Sequence, residues 1–138
     1  VELLPATVPP DYWADVFVSI HADGNKNPAV SGYKVASPWR DTTGKADELT
    51  TMLKREYGAA TDLAVDPNVT RNMRGYYAFN WRRYEHSIHP MTVATIIETS
   101  FLTSPHDQHT IIHNADESAH GIANGIKVFL INQELLLE

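Results

Sequence analysis

The sequence predicts an α/β fold with a central, mostly parallel or mixed sheet flanked by helices. Three observations carry that expectation. Two short β-branched runs, Val16–Ile20 and Val93–Glu98, read as buried strands, and each delivers a polar residue, His21 or Glu98, at its C-terminal end. Two longer stretches, 46–57 and 116–130, repeat apolar residues at three- and four-residue intervals, as amphipathic helices do. Strands and helices alternate along the chain, which favours a sheet covered by helices over a sandwich or a bundle.

The elements follow in order. Val1–Leu4 reads as a short strand that ends at Pro5, and the 5–10 segment, closing on Pro9-Pro10, is a stiff loop. Val16–Ile20 is the next strand. Gly24-Asn25-Lys26-Asn27-Pro28 places a turn directly after His21. Gly32-Tyr33-Lys34-Val35-Ala36 alternates as a half-buried strand does. Asp41 or Thr43 caps a helix over 46–57, lined by Leu49, Met52, Leu53 and Tyr57 and stopped at Gly58. Residues 58–75 show no period, Tyr76–Phe79 reads as a strand, and 81–89 has no assignable form. After Val93–Glu98, a loop through Pro105 leads to a helix over 116–130, with Ala119, Ile122, Ala123, Ile126 and Phe129 on one face.

Composition narrows the possible functions. A chain of 138 residues fits one domain, and 43% hydrophobic with 20% charged residues is ordinary for a globular protein. A net charge of −6 opposes broad binding to nucleic acid or to anionic membranes. No run approaches the roughly 20 apolar residues needed to span a bilayer, and no secretory signal is present. The absence of cysteine excludes disulfides, thiolate ligands and a cysteine nucleophile. Histidine, with seven copies, is left as the soft metal ligand.

His21 lies between a strand and a turn, with Asp23 close enough to orient it as a metal ligand; a histidine serving only as a hydrogen-bonded structural residue is the competing reading. Glu98 follows Ile96-Ile97, so burial would raise its pKa toward the range of a general acid or base. A strand-end glutamate reaching solvent or capping the next helix is the alternative. His109 and His113 are four apart, but Thr110 stands where the zinc-protease helix needs glutamate, so that motif fails. The other histidines, His86, His89, His106 and His120, read as solvated or capping residues. Ser100 lies beside Glu98 without a nucleophile elbow. Arg71, Arg74, Arg82 and Arg83 gather around Tyr76, Tyr77, Phe79, Trp81 and Tyr84. They read either as core aromatics with solvated charge or as a groove wall for an acidic, sugar- or peptide-bearing ligand.

Three stretches carry a family resemblance: Ala14-Asp15-Val16-Phe17-Val18-Ser19-Ile20-His21-Ala22-Asp23-Gly24, Ser31-Gly32-Tyr33-Lys34-Val35, and Ile96-Ile97-Glu98-Thr99-Ser100-Phe101-Leu102 with Pro105 and Asp107. With the closing Ile122-Ala123-Asn124-Gly125-Ile126, this resembles the C-terminal two thirds of the zinc-dependent N-acetylmuramoyl-L-alanine amidases, the type 3 cell-wall hydrolases and autolysins. The resemblance implies a mixed sheet between helices and hydrolysis of the amide joining the muramic acid lactyl group to L-alanine in peptidoglycan. It implies zinc held by two histidines and a glutamate, with a second glutamate assisting. His21 matches the last zinc histidine and Glu98 the catalytic glutamate, while Asp23, Asn80 and Ser100 are expected to contact substrate. Ser100 stands where the family usually has glycine, and Ser104 where it often has asparagine.

The first zinc histidine, the zinc glutamate and the first strand are expected upstream of Val1. Residues 1–138 then form a single, N-terminally truncated catalytic domain, inactive or weakly metallated alone. Its exposed sheet edge invites self-association. By resemblance the location is extracytoplasmic (secreted, periplasmic or wall-associated) and the partner is peptidoglycan, with neither nucleic acid nor a membrane span involved. Two alternatives share the fold: a non-catalytic cell-wall binding or regulatory domain, and a related zinc peptidase.

Overall fold

The computed structural model describes residues 1–137. Three strands, β1 (Val16–Asp23), β2 (Lys34–Ala36) and β3 (Val93–Phe101), form one sheet in the order β1-β3-β2. β1 runs parallel to β3 and β2 antiparallel to it, so the sheet is mixed. Two long helices, α1 (Ala46–Thr61) and α4 (Ala115–Asn132), pack on each other, and α1 covers one face. The helical turns α2 (Arg71–Arg74) and α3 (Pro105–Gln108) lie in the connections. Among the described residues no helix is long and apolar enough to cross a membrane.

β3 is central, so both its faces are covered, and its apolar alternation sorts side chains into two cores. Val93 and Ile97 join Val35, Leu49, Leu53, Tyr57, Ile122 and Phe129 on the helix side. Ala94 and Ile96 join Val8, Ala36, Met73, Ala78, Phe79 and Ile88 beneath the loop layer. Full burial of a leucine such as Leu53 stabilises by about 1.5–3 kcal/mol, so α1 is held chiefly by its apolar stripe. Asp41 accepts the Ala46 N–H at 2.8 Å, and Thr43 Oγ1 accepts that of Lys45, satisfying donors that the helix start leaves open.

Several elements depart from expectation. α1 continues past Gly58 to Thr61 and ends at Asp62, which takes a left-handed φ of 56°. Gly58 is required within the helix because a Cβ there would lie 2.6 Å from the Tyr33 hydroxyl. The buried stripe of α4 is Gly121, Ile122, Gly125 and Phe129, and the expected Ala119 and Ala123 are exposed. The cause is close helix packing: a Cβ on Gly121 would meet Tyr57 Cα at 2.8 Å, and one on Gly125 would meet Leu53 Cα at 2.9 Å. Tyr76–Phe79 is not a strand but a 3-10 turn over Tyr77–Phe79, closed by Phe79 N–H to Tyr76 O and Asn80 N–H to Tyr77 O. Consecutive Ala78 and Phe79 are both buried, which a strand lying on one core could not achieve. Val1–Leu4 forms no strand; Leu4 packs against the loop-side core instead.

Candidate active site

The register of the sheet assembles the site. His21 of β1 and Lys34 of β2 are the Cα partners of Glu98 on either side, so three polar residues lie in a row across three strands, about 4.8 Å apart. The row crosses the C-terminal ends of the parallel strands, where open α/β sheets place their ligands. Ser19 and Asp23 share the His21 face of β1, because alternate residues of a strand point the same way.

Just beyond this row the ladder breaks. From His21 to Asp23, β1 advances two residues while β3 advances three, from Glu98 to Phe101. This bulge is pinned from both faces: Thr99 Oγ1 donates to His21 O at 2.9 Å, and the Tyr57 hydroxyl donates to Thr99 O at 2.8 Å. It re-aims the strand end next to Glu98, a common use of bulges near reactive groups.

Glu98 is half-buried, and its Oε2 has no hydrogen-bond partner among the described residues. Burial pushes its pKa up to about 7, the negative charge of Asp23 adds to the rise, and the Lys34 ammonium partly opposes it. Lys34 is itself buried, 5% exposed, and is spent on other partners. Its Nζ lies 2.5 Å from Asp23 Oδ2, 3.5 Å from Asp66 Oδ2 and 4.6 Å from the centre of the Phe101 ring. The lysine therefore neutralises Asp23 and leaves Glu98 free to exchange a proton.

His21 Nε2 is 2.9 Å from Ser19 Oγ, and the Tyr76 ring meets the imidazole edge-on at 5.0 Å. These two contacts orient the ring from within its own strand and from the loop layer. Behind the site, buried Asp107 accepts N–H bonds from Gly32 at 3.0 Å and Phe101 at 2.8 Å, together with the Ser31 hydroxyl. Burial alone would raise its pKa, but these donors outweigh it and hold the carboxyl below its ordinary value. Asp107 thus ties the end of β3 to the start of β2 and fixes the position of Glu98 between them.

Of the residues expected from sequence, His21, Asp23 and Glu98 come together. Ser100 lies two residues beyond Glu98, is fully buried, and its Oγ has no partner among the described residues. Asn80 lies at the end of the 3-10 turn, and no hydrogen bond among the described residues joins it to His21, Glu98 or Lys34. Lys34 and Ser19 are the residues that sequence reasoning passed over, while Tyr76, read there as core or groove wall, meets the His21 ring. The charge of Lys34 on an otherwise apolar short strand was the available signal.

The donor set was tested against zinc, which requires about three protein ligands in a catalytic site. His21 supplies one imidazole, and no group of three histidine, aspartate or glutamate side chains able to hold a metal occurs among the described residues. The described residues do not by themselves complete a zinc site. His109 and His113 stack at 5.3 Å on a π-helical turn outside this row.

Comparison with known proteins gives the same direction. Solved structures of N-acetylmuramoyl-L-alanine amidases share the fold. The amidase from Clostridium difficile 630 is 26% identical, with a TM-score of 0.60 over 85% of this chain and 58% of that one. The catalytic domain of the Bacillus (Paenibacillus) polymyxa enzyme is 21% identical, with a TM-score of 0.60 and the same coverage. The Mycobacterium smegmatis enzyme is 17% identical, with a TM-score of 0.62 over 86% of this chain and 55% of that one. This chain therefore spans somewhat over half the length of those structures. No curated protein sequence matches it. Residues 7–128 match the family described as N-acetylmuramoyl-L-alanine amidase, and the chain belongs to that family.

Proposed function

We propose that this chain carries the proton-transfer half of a peptidoglycan amidase site, which cleaves the amide between the lactyl group of N-acetylmuramic acid and L-alanine. The supporting observation is Glu98: half-buried, its Oε2 without a hydrogen-bond partner among the described residues, with a pKa of about 7, and in register with His21 at the C-terminal end of the parallel strands. Amide hydrolysis needs one group that accepts a proton from the attacking water and returns it to the leaving amine. Glu98 does both. As the water oxygen bonds to the carbonyl carbon, Glu98 takes the proton; as the C–N bond breaks, it delivers that proton to the alanine nitrogen. The second water proton also ends on that nitrogen, so the products are a lactyl carboxylate on the glycan and an ammonium group on the peptide.

His21 is the metal ligand that the described residues contribute to this reading. No step above depends on the metal. Asp23 stays neutralised by Lys34 and borders the substrate, and the fully buried Ser100 supports the floor beneath it. Asn80, at the end of the 3-10 turn, contacts substrate in this reading. Because the substrate is the cell wall, the protein acts outside the cytoplasmic membrane. The outer edge of β1, with Ile20 58% exposed, is the surface through which copies associate, and sedimentation over a concentration series tests this.

The test of the function is cleavage of a defined muramyl peptide, followed by mass spectrometry, with zinc content measured on the same samples. Glu98→Gln lowers turnover by about 10²–10⁴-fold and leaves zinc content unchanged. Cleavage that survives in Glu98→Gln refutes the role of Glu98. Equal cleavage of plain peptides lacking muramic acid favours a peptidase.

A further inference from the structure

A second cleft lies on the other side of β2. It measures about 480 Å³, within the range of small-molecule sites, and runs between α1 and the 69–74 segment along the outer edge of the sheet. Three cations line it, Lys54, Arg71 and Arg74, against the single carboxylate of Asp47, which is engaged by the Ser37 hydroxyl at 2.6 Å. A positive cleft in a chain of net charge −6 is not the average surface of this protein.

The cleft is also built. Trp39, 57% exposed, forms part of its wall, and the Arg74 guanidinium stacks on the indole at 4.1 Å from the ring centre. Arg74 Nε donates to Ser37 O at 3.2 Å, and Trp39 N–H donates to Arg74 O at 3.0 Å. Main chain and side chain therefore lock the pair together. An exposed indole held rigid beside a fixed guanidinium suits a ligand with an apolar ring face and an adjacent negative charge. Sugar rings stack on such faces, and Arg binds carboxylates through paired N–H groups.

From these features we infer that the cleft is a binding site for a saccharide bearing free carboxylates, the class to which peptidoglycan glycan belongs once its stem peptides are removed. The choice of ligand rests on the amidase reading, since each amide cleaved leaves one lactyl carboxylate on the glycan. Position supports it. Ala36 lines the cleft, and Lys34, two residues or about 7 Å away along β2, is the register partner of Glu98. One short strand thus borders both the cleft and the catalytic row.

The test titrates the protein with peptide-free GlcNAc–MurNAc oligosaccharides, read by calorimetry and by tryptophan fluorescence. Chitin oligosaccharides of equal length serve as the neutral control and a glycerol-phosphate oligomer as the alternative anion. The carboxylated glycan binds at least about tenfold more tightly than chitin, and affinity falls with added salt. Lys54→Gln with Arg71→Gln, both outside the catalytic row, weakens binding about tenfold while the melting temperature and cleavage of a short soluble muramyl peptide hold. Trp39→Phe removes the fluorescence response. Glu98→Gln abolishes cleavage and leaves glycan affinity intact, so failure of the amidase reading and failure of this site are separable. Equal affinity for chitin, insensitivity to the Lys54 and Arg71 changes, or preferential binding of the glycerol phosphate overturns the inference.

Discussion

Replacing Glu98 with glutamine should make the folded protein more stable at alkaline pH while destroying its catalysis. The folded carboxyl has a pKa of about 7, raised from 4.5 by burial and by Asp23. Between these values the folded chain keeps a proton that the unfolded chain releases. Stability from this group is therefore present below about 4.5 and is lost as pH rises through about 7. At ~1.4 kcal/mol for each pH unit between the two values, the penalty above pH 8 has a ceiling of about 3.5 kcal/mol. Glu98 is only half-buried, and solvent screening reduces this to about 1–2 kcal/mol. Glutamine keeps the shape and carries no charge, so Glu98→Gln should gain that amount at pH 8.5 and gain little at pH 4.5. Urea unfolding of both proteins at the two pH values measures it. A wild-type-minus-variant difference that does not change with pH would show that Glu98 is solvated, and the argument for its role as a proton carrier would fall with it.

Three further outcomes follow from the packing around the site. Gly125→Ala brings a Cβ within 2.9 Å of Leu53 Cα; helix propensity returns about 1 kcal/mol, but overpacking against backbone costs more, for a net loss of about 1–2 kcal/mol in thermal unfolding. Asp107→Asn turns an amide donor toward the Gly32 and Phe101 N–H groups and should cost about 2–4 kcal/mol by denaturant titration. Because the Asp107 pKa is depressed in the fold, the wild-type contribution is present above about 3.8 and disappears as pH falls below it. Tyr57→Phe removes the hydroxyl that holds Thr99 O at the bulge; it should cost about 1 kcal/mol and reduce turnover more than substrate affinity.

The legible parts of this chain were those set by local periodicity. The strands at Val16 and Val93 and the helix from Ala46 follow directly from apolar spacing, because each buries one face or both. The Tyr76–Phe79 segment misled because aromatic, β-favouring residues were read without the constraint that Ala78 and Phe79 both turn inward. The stripe of α4 misled for the opposite reason. Alanines read as an apolar face, yet the contact with α1 needs the absence of side chains, at Gly121 and Gly125, more than their presence. In the site, His21 and Glu98 stood out as polar residues closing apolar runs. Lys34 could not be found that way, because its importance comes from pairing with Asp23 and Asp66, from distant parts of the chain.

That pairing explains why one carboxylate in the row can carry protons and another cannot. Asp23 and Glu98 share a sheet face, Asp23 with its side chain 29% exposed and Glu98 half-buried. Lys34 distinguishes them by placing its ammonium 2.5 Å from Asp23 while serving Glu98 only at longer range. Asp23 is thereby ion-paired, and burial together with the Asp23 charge raises the proton affinity of Glu98 toward neutrality. Burial and the neighbouring Asp23 charge raise the Glu98 pKa to about 7 while Lys34 only partly opposes them, so Glu98 is the member of the pair suited to exchange protons near neutrality. Lys34→Met should therefore disturb both members: Asp23 loses its counter-charge, and the pH–rate profile shifts upward on its acidic limb as Glu98 holds its proton more tightly. A profile unchanged in Lys34→Met, at retained folding, would show that the lysine serves only the packing of β2.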